Sequence, residues 1–95
     1  MLHFNYHNVK IGKGRNTDQV VIKGEITNSS GRDFNAVASR VVLFAKNTAI
    51  SNSVFVINGM PNGMTRPFEK IIDELEYSQI GKDITHFEIQ AESGF

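Results

Sequence analysis

Cysteine is absent from the sequence, which removes disulfide frameworks, thiolate metal sites and cysteine nucleophiles. Tryptophan is absent as well, and proline occurs only twice. No run of large apolar side chains exceeds four residues, at 41–44 and 54–57, which is far too short to cross a bilayer. The formal net charge is zero, so the basic footprint of a nucleic-acid-binding domain is missing. The opening stretch MLHFNYHNVK has neither the basic flank nor the long apolar segment of a signal peptide. The chain is therefore expected to be cytoplasmic, or else a piece of a longer exported protein. Ser29, Ser30 and Ser39 stand outside any Gly-x-Ser-x-Gly elbow, so nothing supports a serine hydrolase.

What is present fits one globular domain. A chain of 95 residues buries roughly 60–70% of the surface its unfolded form exposes, enough for one core without metal or disulfide. Charge is unevenly placed along it. Seven Lys and Arg stand against three acids in residues 1–46, and three stand against seven in residues 47–95. Interleaving of the two halves in a folded domain would cancel this imbalance; segregation would favour head-to-tail contact with another copy or module.

Alternation with period 2 dominates the chain. Val20, Ile22 and Ile26 alternate with Lys23, Glu25 and Thr27, the pattern of a strand with one buried face. Gly24 interrupts that strand and marks a bulge or a close backbone approach. Asn28-Ser29-Ser30-Gly31-Arg32-Asp33 is dense in turn formers. From Phe34 to Phe44, Val37, Ser39, Val41 and Leu43 share one face, while Ala36, Ala38, Arg40, Val42 and Phe44 share the other. Residues 49–57 return as a third strand, followed by the loop Asn58-Gly59-Met60-Pro61-Asn62-Gly63-Met64. Gly63 is expected at positive φ, with Pro61 presetting one corner of the turn. Residues 67–73 read as a strand in preference to a helix over 70–80, and residues 74–82 as a loop with at most one helical turn. Phe87, Ile89 and Ala91 alternate with His86, Glu88, Gln90 and Glu92 in a closing strand, and Phe4, Tyr6, Val9 and Ile11 open the chain. Gly12-Lys13-Gly14-Arg15 precedes a strand and not a helix N-terminus, so it reads as a mobile hairpin loop and not as a phosphate cradle.

Together these signals specify an all-β fold: an antiparallel β-sandwich of six to eight strands, immunoglobulin-like, spanning residues 1–95 as a single domain. Its inner face is expected to hold Ile22, Ile26, Val37, Val41, Leu43, Phe68, Phe87 and Ile89. The order of features also resembles the FxLYD-type immunoglobulin-like modules of bacterial and archaeal envelope proteins. The resemblance rests on Gly24-x-x-x-Asn28, the polar turn with its glycine, the aromatic and branched run into Leu43-Phe44, and Pro61-x-Gly63-x-Thr65-x-x-Phe68. It covers about residues 20–73. The name-giving stretch departs from the pattern, with Val41 for the first aromatic, Phe44 for the tyrosine and Ala45 for the aspartate. What the resemblance implies is a non-catalytic adhesion, spacer or interaction domain of a cell-envelope or surface protein.

The remaining chemical signals are sparse. His3 and His7 share an exposed strand face with only His86 to join them, so no zinc site is expected. Asp73, Glu74, Glu76 and Asp83 lack the order of a calcium loop. Asn28-Ser29-Ser30 is a formal glycosylation sequon. The expected function is thus a protein-interaction or spacer module without enzymatic activity, cofactor or metal. Its partner is an unidentified protein, with weak homo-oligomerisation open, and no nucleic-acid or membrane-inserted role is expected. The alternative is a small-ligand or metal-binding accessory domain. The candidate interaction surface is Val54, Phe55, Val56 and Ile57, an apolar run on both faces, whose second face is covered either by a loop or terminal strand, which is the expectation, or by a partner.

Overall fold

The computed structural model describes residues 3–95. Six strands run in order: β1 (Phe4–Lys13), β2 (Gln19–Asn28), β3 (Phe34–Ala45), β4 (Thr48–Met60), β5 (Thr65–Glu76) and β6 (Ile84–Gly94). A single helical turn, α1 (Tyr77–Ile80), and a 3₁₀ turn (Gly81–Asp83) carry the chain from β5 to β6. The strands form two antiparallel three-stranded sheets, β1-β2-β5 and β4-β3-β6, that face each other as a sandwich. Only β2 and β3 are interior strands. Each lies in the middle of a sheet with one face on the core, and the alternation visible in the sequence is interrupted where Val21 and Ala38, on the opposite face, are also buried.

The core between the sheets consists of two clusters of buried residues, bridged by the partly buried Val9, Phe55 and Ile89. Ile22, Ile26, Val37, Val41 and Leu43 are fully buried and Phe68 nearly so, as the period-2 pattern requires, while Phe87 and Ile89 pack on it half-buried. Val20, Met60 and Ile72 are equally buried. Phe55 stacks on Phe68 with ring centroids 5.2 Å apart, and Tyr6 meets the same ring edge-on at 6.2 Å. One polar bridge crosses the interior: the Tyr6 hydroxyl lies 2.8 Å from the hydroxyl of fully buried Ser39. Burial pushes the Tyr6 phenol above its ordinary range, against the pull of the Ser39 hydrogen bond.

Gly24 is a bulge site. His7 pairs with Glu25 and Lys10 with Lys23, so Asn8 and Val9 together oppose Gly24, and Asn8 takes φ +54°. A Cβ on Gly24 would come within 3.0 Å of the Val9 Cα, which explains glycine there. Gly24 also faces Phe68 across the β2–β5 pair.

Four residues further on, Asn28 is fully buried and fully bonded. Its amide donates to the carbonyls of Arg32 at 2.7 Å and Met60 at 2.8 Å, and its side-chain oxygen accepts from the Ser30 backbone and hydroxyl. Its own backbone receives Gly63 N–H and donates to the Met64 carbonyl. One side chain therefore closes the β2–β3 and β4–β5 connections together. The sequon is unusable in the folded chain, because the amide nitrogen that would carry a glycan is inside and committed twice.

The β4–β5 turn has Gly63 at φ +83° as expected, but Pro61 is not a corner residue. Pro61 stands first in the turn, its carbonyl accepting from Met64 at 3.0 Å, so that Asn62 and Gly63 form the corners. β5 also runs on to Glu76, beyond the expected loop start at 74, because Gln19 pairs with Glu76 past a bulge. Asp18 then anchors α1, its carboxylate accepting from the Ser78 backbone at 2.9 Å and from the Ser78 hydroxyl.

Two stability predictions result. Asn28→Ala strands the buried Met60 carbonyl and removes the acceptor of the Ser30 N–H and hydroxyl, and should cost about 2–4 kcal/mol in urea denaturation. A Cβ on Gly63 meets no neighbour within 4 Å, so the cost of Gly63→Val is set by backbone strain at positive φ, about 1 kcal/mol or more. Gly63→Ala should cost less than the valine variant.

Candidate functional site

A sandwich of this size offers edges and faces, and the four edge strands are not equivalent. β1 carries His7, Lys10 and Lys13 and a bulge; β5 carries Pro67 with six charged residues, among them Glu69 and Lys70; β6 carries Glu88 and Glu92 and two register breaks. Charge, proline and bulges are the devices that keep an edge from pairing with a foreign strand. The sequence of β4, TAISNSVFVINGM, contains no charged residue, no histidine and no proline. Its register with β3 is regular from Ser51 to Asn58, the break lying earlier, between Leu43 and Phe44 of β3.

The four residues of the candidate surface divide within this strand. Val54 and Val56 point outward and are 42% and 55% exposed. Phe55 and Ile57 point inward, Phe55 onto Phe68 and Ile57 at 8% exposure into the core. The expected internal cover is absent: among the described residues, no loop or terminal strand lies over Val54 and Val56. The outer face beside them continues through Ala38, which pairs with Val56, and Arg40, which pairs with Val54. Arg40 spans its sheet, donating to Asn52 on β4 and to Glu92 on β6.

Both ends of β4 are pinned by β5. The Arg66 guanidinium donates to the Gly59 carbonyl at 2.5 Å, and the Ser51 hydroxyl donates to Glu74 at 2.6 Å. Between these two pins β4 meets β5 through the inward Phe55–Phe68 stack and, among the described residues, through no side-chain hydrogen bond. The unpinned stretch and the exposed valines coincide.

A second feature lies on the outer face of the other sheet. A groove of about 540 Å³ runs past Asn8, Lys10, Lys23, Gly24, Glu25, Pro67 and Glu69. It adjoins a smaller recess of about 250 Å³ beneath the β1–β2 hairpin, where Lys13 and Arg15 join Lys10 and Lys23. The hairpin is closed by Gly14 N–H donating to the Gln19 carbonyl at 2.9 Å, and it folds over Val21. That explains why Val21 is buried although it faces away from the core. Among the described residues Lys10, Lys13, Arg15 and Lys23 have no salt-bridge partner.

The other signalled groups do not converge. His7 sits near Glu25 and Thr27, whereas His86 stacks on Phe44 with centroids 4.3 Å apart. Asp73 accepts from Gln19 and Glu74 from Ser51, each held where it serves the sheets. Among the described residues no three His, Asp or Glu side chains are grouped to hold a metal ion. No described helix is long and apolar enough to cross a membrane. Comparison with protein-family models, with curated proteins and with solved structures returns no match.

The Ser51 hydrogen bond, joined by Glu74's own backbone, holds the Glu74 carboxyl below the ordinary carboxylate range against a small desolvation cost. A carboxyl depressed on folding stabilises the native state above its unfolded pKa and loses that contribution as pH falls through the folded value. Acid titration should therefore weaken the β4–β5 pin as pH drops below the carboxylate range. Glu74→Gln should flatten the acid limb of the stability curve, measured by thermal melts across pH. Its cost at neutral pH should be under about 1 kcal/mol, since the group is largely exposed.

Proposed function

We propose that this domain is a non-catalytic protein-interaction module that receives an extended segment of a protein partner along β4. The observation that carries the reading is a chargeless, proline-free edge strand with two exposed valines between the pins at Ser51 and Gly59. A free edge gives affinity through main-chain hydrogen bonds, and alternate side chains give selectivity. Val54 and Val56 occupy those alternate outward positions.

The finer assignment we propose is immunoglobulin-like, of the FxLYD type, within an envelope or surface protein. Strand order supports it. The first, second and fifth strands share one sheet, while the third lies between the fourth and sixth in the other, the arrangement of an immunoglobulin sandwich with β4 in the C′ position. The residues of the resemblance also meet in space: Gly24 faces Phe68, Asn28 bonds to the chain at Gly63, and Thr65 bonds to Thr27 beside Asn28.

A second reading, binding of a small anionic ligand, is favoured by one observation, the unpartnered Lys10, Lys13, Arg15 and Lys23 around the outer groove. Exposed cations are each weak when screened by salt, so such a ligand must reach several of them at once.

Amide spectra recorded with a panel of extended peptides of alternating valine and polar residues test the main reading. Binding should shift β4 amides between 52 and 58 and should vanish in Val54→Lys/Val56→Lys with the fold intact. Loss of fold in that variant would make the run core and defeat the proposal. Shifts confined to Lys10, Lys23 and Glu69 on adding an organic di-anion would favour the groove instead.

A further inference from the structure

We infer that the occupant of the β4 edge is β4 of a second copy of this chain, paired antiparallel about a two-fold axis through Phe55. The inference rests on the edge reading above and names its partner. An isologous contact must be self-complementary, each residue meeting its symmetry mate's counterpart. The unpinned stretch reads Asn52-Ser53-Val54-Phe55-Val56-Ile57-Asn58, almost the same in both directions.

With Phe55 opposite Phe55 of the second copy, Val54 faces Val56 and Asn52 faces Asn58. These are the outward-facing positions, where residue accessibility alternates along the strand. Every outward cross-strand pair is thus valine on valine or asparagine on asparagine, pairs that suit neighbouring strands by packing and by side-chain hydrogen bonding. The single mismatch, Ser53 with Ile57, points inward, where each copy already has its own core.

Charge fits the same register. Ser51, which holds Glu74, comes opposite Gly59 of the second copy, which holds Arg66. The symmetry therefore sets an acid of one copy beside a base of the other at both ends of the contact. Pairing joins the two β4-β3-β6 sheets into one six-stranded sheet and removes the unguarded edge from both copies. One strand per copy is a small interface, so the dimer assembles and dissociates with concentration.

Sedimentation velocity across a wide concentration series should show a monomer–dimer equilibrium for the wild-type chain. Val54→Lys/Val56→Lys should remain monomeric throughout, with an unchanged circular dichroism spectrum and, at dilutions where the wild type is also monomeric, an unchanged melting curve. Cysteine replacement tests the register without relying on those variants, since the chain has no cysteine of its own. Under mild oxidation a mixture of Val54→Cys and Val56→Cys should form a covalent dimer. Either variant alone should not, because like positions then stand two residues out of register, beyond the Cα separation of about 4.4–6.8 Å that a disulfide accepts. Cross-linking of each variant alone, or a dimer that survives the double lysine change, overturns the proposed pairing. A wild-type chain that stays monomeric while peptides still shift β4 amides overturns the second copy and leaves the edge reading standing.

Discussion

Two three-stranded sheets leave four of six strands with one backbone edge unpaired. In a domain this small, edges outnumber interior strands, and each exposes a row of donors and acceptors that another strand can satisfy. The sequence answers the constraint differently at each edge. β1 is broken by the Asn8–Val9 bulge and lined with lysine, β5 holds Pro67 and six charges, and β6 has Glu88, Glu92 and two register breaks. Among the described edges only β4 is left uncharged, with an unbroken register from Ser51 to Asn58, and side-chain hydrogen bonds tie its two ends to β5. Stability and function meet on that strand: Phe55 and Ile57 complete the core, and Val54 and Val56, between and beside them, serve nothing inside the molecule.

The sandwich holds its shape through a few polar side chains that cannot be exchanged for apolar ones. Asn28 closes two connections separated by some thirty residues of chain, and the Tyr6–Ser39 pair links the sheets across the core. Because Asn28 fixes both the β2–β3 and β4–β5 connections, it also sets where β4 ends and where Arg66 can reach Gly59. The buried end of the sandwich therefore positions the open edge.

Much of this was legible in the sequence where alternation was intact. β2 and β3 are central strands, so their faces differ and their inward residues could be read directly. Gly24 could be read as a bulge because glycine has no packing role in such a strand. Asn28 read as a turn former, since its buried amide is satisfied by Met60, whose proximity no local pattern reveals. Val21 lies on the outward side of the β2 alternation, and its burial comes from a hairpin that folds back over the sheet, which no local pattern reveals. In residues 54–57 the outward positions are valine, so the period-2 signal disappears and the run appears buried on both sides. Internal cover was the natural expectation, and the fold leaves that face open. The cue that did exist was the lack of any charge over all thirteen residues of β4.

The central claim is that β4 alone among the four edges is available for strand pairing. Residue-resolved amide hydrogen exchange, measured at low and at high protein concentration, tests it most directly. The account predicts that amides within 52–58 gain protection as concentration rises, while the edges of β1, β5 and β6 exchange at unchanged rates. Protection independent of concentration at β4, or concentration-dependent protection at another edge, would contradict it.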